Sequence, residues 1–274
     1  MDDSTVEAHP GAGLTQGWEP QVASSDSFLL AAARSHARHF DVLASTMGWI
    51  RPAGRGLAGG ASGLPSPFAN ILVLTAPATE PQGADGITRA IDLATEAQAP
   101  VLLISPWPTS DLRHQGLVAV GHPPLMLRLP GGSMPPTPDE VTIQEVTTRE
   151  GLVTFESVLI AAYPIPELAG MTPATLFGPA LLGSGWRFFV ATVGGETVGT
   201  SAGFVSDGIQ VVEMVSTLPS HRGRGIGAAL TWAVTLIEPE LPAMLIASDD
   251  GRPVYTDMGY LTLCRFTLWV VPPD

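Results

Sequence analysis

Arg222-Gly223-Arg224-Gly225-Ile226-Gly227 is the stretch whose reading decides the fold. The apolar run Val211–Leu218 precedes it and the apolar-rich run Ala228–Ile237 follows it. The order is strand, glycine-rich turn, helix, an arrangement that can hold a pyrophosphate. The first turn of a helix presents unpaired N–H groups and positive dipole potential, and glycine lets backbone approach an anion closely. Arg222 and Arg224 add positive charge beside it.

Other phosphate loops fit less well. The Gly-x-x-x-x-Gly-Lys-Ser/Thr loop needs a lysine, and all 13 basic residues of this chain are arginine. The dinucleotide fingerprint needs Gly-x-Gly-x-x-Gly early in a βαβ unit, whereas here the spacing is Gly-x-Gly-x-Gly and lies late in the chain. The pattern that remains, Arg/Gln-x-x-Gly-x-Gly/Ala, is met by Arg222, Gly225 and Gly227. A glycine-rich turn capping an ordinary helix is the plainer reading of the same residues.

The 274 residues suffice for one large domain or two small ones, at about 100–150 residues each. A net charge of −13 argues against a nucleic-acid partner, because phosphates would be repelled. The single cysteine, Cys264, excludes an internal disulfide framework and fits a reducing, cytoplasmic setting. No run approaches the roughly 18 apolar residues of a membrane span, and Asp2, Asp3 and Glu7 are unlike a signal peptide's start.

Taken in order, residues 1–25 show no periodicity and read as a disordered tail. From Ser27 a helical pattern runs through Phe28, Ala32, His36, Phe40 and Leu43. No Cys, Asp or third His stands at metal spacing from His36 and His39, so both read as surface or core histidines and no metal is expected. Gly54–Pro67 reads as a flexible loop, Ile71–Thr75 and Val101–Ile104 as strands, Ile87–Gln98 as a helix, Leu112–Gly116 as the end of a short helix and Leu125–Leu129 as a strand. Residues 130–140, with four prolines, form a linker. Beyond it come strand Val141–Val146, helix Gly151–Tyr163, the hairpin Phe188–Val193 and Thr197–Phe204, the long strand with its glycine loop and helix, strand Met244–Ser248, helix Arg252–Met258 and a closing strand Leu261–Val271.

Shifting the N-terminal half by 143 positions aligns the two halves without gaps: Gly116 meets Gly259 (259 − 116 = 143), Leu112 meets Tyr255 and Ser105 meets Ser248. The glycine loop meets Thr79-Glu80-Pro81-Gln82-Gly83-Ala84, which has lost both arginines and gained an acid and a proline. The first copy keeps the scaffold and lacks the loop.

A second block, Ser248-Asp249-Asp250-Gly251-Arg252-Pro253-Val254-Tyr255-Thr256-Asp257-Met258-Gly259-Tyr260, places a tyrosine four residues before Gly-Tyr. Together the two blocks resemble the GCN5-related N-acetyltransferase (GNAT) superfamily over roughly residues 141–271, and the whole layout resembles tandem GNAT proteins with a degenerate first copy. The fold so implied is α/β (α+β): two GNAT-like mixed-sheet domains in tandem, helices on both faces, with a degenerate domain at 26–129, the linker at 130–140 and a catalytic domain at 141–274.

The resemblance implies one acetyl-CoA per chain and direct acetyl transfer to a primary amine of a small-molecule or amino-acid-like acceptor. The pyrophosphate would lie on Arg222, Gly223, Arg224, Gly225, Ile226, Gly227 and Ala228. A strand N–H at Val215, flanked by Met214 and Thr217, would polarise the thioester carbonyl. Tyr255 would return a proton to the departing thiolate, Glu213 would take one from the amine, and Ser248 would hold a water or the cofactor. Strand alternation puts Glu213, Val215 and Thr217 on one face. A non-catalytic acyl-CoA-binding module and an enzyme using another acyl-CoA are the competing readings. Oligomeric state is not readable.

Overall fold

The computed structural model describes residues 28–132, 134–163, 165–172 and 174–273; the expected N-terminal tail lies outside them. Helix α1 (Phe28–Met47) comes first. Its buried positions Ala33, Ala37, Phe40 and Ala44 recur every three or four residues, the spacing of one apolar stripe. Strand β1 (Leu57–Ala61) lies inside the stretch expected to be a loop. Its glycines mark backbone contact: a Cβ on Gly60 would stand 2.6 Å from Ile50 O and 2.8 Å from Ala44 Cβ. Then come β2 (Asn70–Leu74), α2 (Pro81–Ala97), β3 (Val101–Ser105), a 3₁₀ turn at Arg113–Gln115, β4 (Val118–Gly121) and β5 (Pro124–Arg128).

After residues 129–140 follow β6 (Val141–Glu145), α3 (Arg149–Ala162), two 3₁₀ turns, β7 (Trp186–Val193) and β8 (Glu196–Ser206). Gly194 and Gly195 both adopt positive φ between β7 and β8, as a tight hairpin requires. The remainder is β9 (Ile209–Thr217), α4 (Ile226–Thr235), β10 (Ala243–Ile246), α5 (Arg252–Asp257), β11 (Leu261–Arg265) and β12 (Thr267–Val271). The expected closing strand is thus two strands, parted at the buried Phe266.

The sheets do not respect the expected boundary at the linker. One is ordered β1-β2-β3-β12-β4, the other β11-β5-β10-β9-β8-β7-β6. The last strand of each half has crossed into the other's sheet. Antiparallel β12 lies between β3 and β4, and antiparallel β5 lies between β10 and β11. At the crossing, Phe266 N donates to Pro123 O at 3.0 Å, and Arg265 Nη1 donates to His122 O, a residue 143 positions earlier. β5 and β12 stand at that same shift over their full lengths.

In the second half, α3 carries a buried carboxylate that shapes the following loop. Glu156 accepts N–H bonds from Thr175 (3.3 Å), Leu176 (2.9 Å) and Phe177 (3.0 Å). Leu176 and Phe177 are thereby held in the core between the sheets.

Two stability outcomes follow. Trp269→Ala on β12 empties a site 5% exposed and removes the bond from Trp269 Nε1 to Thr109. It should cost about 3–5 kcal/mol in urea unfolding. Hydrogen exchange should show the lost protection in β2 and β3, far away in sequence. Glu156→Ala leaves three N–H groups without their charged acceptor and should cost about 2–4 kcal/mol, read by thermal melting.

Candidate active site

Strand β9 breaks its own alternation. Its pairing with β8 shifts register between Thr200 and Ala202, so Met214 and Val215 together oppose Ser201, and Met214 has φ +56. This is a β-bulge. Two side chains tie its carbonyls: Thr200 Oγ1 donates to Met214 O at 2.9 Å, and the Tyr163 hydroxyl donates to Val215 O at 3.1 Å. The bulge corrects the sequence expectation of a shared face. Glu213 and Met214 both line one cavity, while Val215 packs in the core beneath α4.

Past the start of β10 the sheet opens. β9 and β10 pair in parallel only at Gln210 with Ala243 and Val211 with Met244. The first sheet differs at the corresponding place: β2 and β3 pair at Ile71 with Leu102, Leu72 with Leu103 and Val73 with Ile104, and β2 pairs β1 without a register shift. Under the 143-residue shift those closed pairs match Met214 to Ser216 against Leu245 to Ala247, the strands that splay apart.

The glycine loop occupies the end of β9. Gly223 and Gly225 both have φ +75, and Gly225 caps α4. Beyond the loop a groove of about 570 Å³ runs between α4 and α5, lined by Ala228, Trp232, Val254 and Asp257 and bordered by Arg128 and Pro135. The arginines are busy within the chain. Arg222 donates to Thr217 O (3.1 Å) and Ala162 O (2.9 Å), pinning β9 to the end of α3. Arg224 pairs with Glu140 at 2.7 Å. Backbone N–H groups are therefore the loop's main offer to an anion. Ile226 is buried in the core, Gly227 rests against Thr217, and Ser248 Oγ accepts from Gly251 N at 3.0 Å, which places Ser248 in the turn that starts α5.

Tyr255 stands on α5, half-buried. Burial foremost, then the Glu213 carboxylate, pushes its phenol up to about 12, while a hydrogen bond with Thr231 pulls it down. It keeps its proton at any ordinary pH, as a proton donor must. Burial raises Glu213 above the usual carboxylate range, partly offset by His36. Tyr163 is 44% exposed as a residue, yet it is raised as well, by desolvation first and then by Tyr255 and Glu213. Tyr163, Tyr255 and Glu213 thus share one electrostatic neighbourhood around the splay.

The cavity holding Glu213 measures about 220 Å³. Phe40, Phe68, Ile71 and Ile104 wall it from the first half, and Leu168, Leu176 and Phe177 from the loop after α3. Tyr163, His36 and Glu213 are its polar lining. Sequence reading named Glu213, Tyr255 and the loop as candidates, set His36 and His39 aside as surface or core histidines, and did not single out Tyr163. Tyr163 closes an amphipathic helix and gave no pattern to read.

Residues 184–262 match a family model described as an acetyltransferase (GNAT) domain. No curated protein matches the chain. Among solved structures, a GCN5-related N-acetyltransferase from Kribbella flavida is 22% identical, with a TM-score of 0.65 covering 91% of this chain and 97% of that one. A protein from Novosphingobium aromaticivorans described as a GNAT-family acetyltransferase is 14% identical, with a TM-score of 0.58 covering 92% and 99%. Residues 184–262 thus match the model of a GNAT acetyltransferase domain, and the chain is similar in fold to these GNAT proteins almost from end to end.

Proposed function

We propose that the chain is an acetyl-CoA-dependent N-acetyltransferase acting on the primary amine of a small-molecule or amino-acid-like acceptor. The observation that carries this reading is the splay of β9 from β10 beside a bulge, with the glycine loop at one end and Tyr255 alongside. Pantetheine would lie in the splay and the pyrophosphate on the N–H groups from Gly223 to Ala228. The bulge at Met214 and Val215 takes backbone out of the ladder, which suits an N–H that meets the thioester oxygen as charge develops there. Tyr255 gives its proton to the departing thiolate. Glu213 faces the cavity where the amine would sit and takes the amine's proton.

The acceptor enters a mainly apolar cavity with one carboxylate, so a compact amine with an apolar body suits it. The first half serves as its wall. Its own sheet is closed where the second is open, and Pro81 starts α2 where a loop would otherwise stand. That supports one coenzyme per chain.

Calorimetric titration of acetyl-CoA should therefore give one site per chain. Gly225→Asp puts an acid and a Cβ at φ +75, 3.3 Å from Pro138, and should abolish binding; two sites in the wild type would sink the single-site reading. Tyr255→Phe should retain the binding and lose about 10²–10⁴ in kcat, measured by thiol release with a panel of amines. Full binding with no turnover on any amine would mark the chain as a non-catalytic acyl-CoA-binding protein.

A further inference from the structure

Helix α1 sends two histidines across to β9, and both are sealed from solvent: His36 is 2% and His39 0% exposed. They converge on one oxygen of Glu213. His36 Nδ1 lies 3.6 Å and His39 Nε2 3.5 Å from Oε1. Separations of that length are not hydrogen bonds. Among the described residues His36 Nδ1, His36 Nε2 and His39 Nε2 have no hydrogen-bond partner. Buried polar atoms are almost always satisfied by a partner, a water or an ion, so several orphans gathered around one carboxylate point to a ligand.

Direct hydrogen bonding therefore does not account for the cluster. The two nitrogen-to-oxygen distances fit another geometry. An ion with four ligands at about 2.0–2.1 Å keeps its ligand atoms about 3.3–3.4 Å apart, the edge of a tetrahedron. One ligand atom from each of His36, His39 and Glu213 lies within 4.8 Å of the others. The tautomer is also set. His39 Nδ1 stands 3.1 Å from Ser35 O; a carbonyl only accepts, so Nδ1 carries the proton and the Nε2 lone pair is turned toward Glu213. A backbone bond of this kind fixes the orientation of metal-binding imidazoles.

We infer that His36 Nδ1, His39 Nε2 and the Glu213 carboxylate form a binding site for one divalent transition-metal ion, with zinc the best match. Two imidazoles and one carboxylate suit zinc and its first-row neighbours, whereas calcium and magnesium call for an oxygen shell. His36 and Glu213 also line the 220 Å³ cavity, so the fourth position faces that cavity and the ion arrives through it. The site does not rest on the acyl-transfer reading, but the two share Glu213. An ion there occupies the Glu213 lone pair, so acting as ligand and acting as base are exclusive uses of one carboxylate.

The test uses untagged full-length protein, stripped with a chelator and then titrated with Zn²⁺ and, separately, Co²⁺. Calorimetry and mass-spectrometric metal analysis should find one ion per chain. The cobalt form should show the intense visible absorption of a four-coordinate site. His39→Ala and Glu213→Gln, each confirmed as folded by circular dichroism, should weaken zinc at least 100-fold, while His114→Ala at an exposed histidine should not. A folded wild type that takes up neither ion overturns the inference. So does zinc affinity that survives both substitutions. If those variants fail to fold, the cobalt spectrum of the wild type decides: weak octahedral bands alone, or none, overturn it. Acetyl-CoA titration of the metal-free protein is scored separately, so loss of one reading leaves the other intact.

Discussion

The exchange of strands between the two sheets governs the architecture. β5 and β12 each complete the sheet of the opposite half, and neither sheet is continuous without the other half's strand. A strand drawn out of the middle of a sheet would leave rows of buried N–H and C=O groups unpaired. Separation of the halves is therefore far costlier than parting a surface contact. The exchange also fixes what faces what. With β5 beside β10 and β12 beside β3, α1 is held across β9, and residues from both halves wall the cavity over Glu213.

Within that frame, one backbone irregularity distinguishes the second half from the first. Met214 takes a positive φ without being glycine, at a cost of about 1–2 kcal/mol. Thr200 and Tyr163 hold the carbonyls on either side of the distortion. The strain is thus over-determined by its surroundings, which is how such residues persist. In β2 the matching residue is Ile71, inside a regular ladder. The two halves differ at this position because the second gives up backbone regularity to open its sheet.

Much of this was legible in the sequence where periodicity or glycine made the case. The glycine loop, the Tyr255 block, helices α3 and α4 and the hairpin at Gly194 and Gly195 stand within a few residues of their expected places. β1 was missed because its Leu-Ala-Gly-Gly-Ala composition reads as loop; the glycines are there because Ile50 O and Ala44 leave no room for a side chain. β11 and β12 read as one strand because both are apolar, and the turn into another sheet at Phe266 has no local mark. The bulge escaped because a count of alternation assumes an unbroken ladder. Sheet membership is a long-range property, and hydrophobic period reports only which face is buried.

The histidines show the same limit from the side of chemistry. Spacing rules for metal sites work when ligands share a helix or a short loop, and His36 and His39 are three residues apart while Glu213 stands in the other half of the chain. No local pattern joins them; the packing of α1 across β9 does. That packing also explains why Glu213 is contested. The same burial that raises its proton affinity keeps both imidazoles neutral. Neutral imidazole is the form that binds a metal and also the form that leaves a neighbouring carboxylate without a counter-charge. A carboxylate so placed gains from a proton or from a cation, and not from both together. Its chemistry is set by which arrives through the cavity.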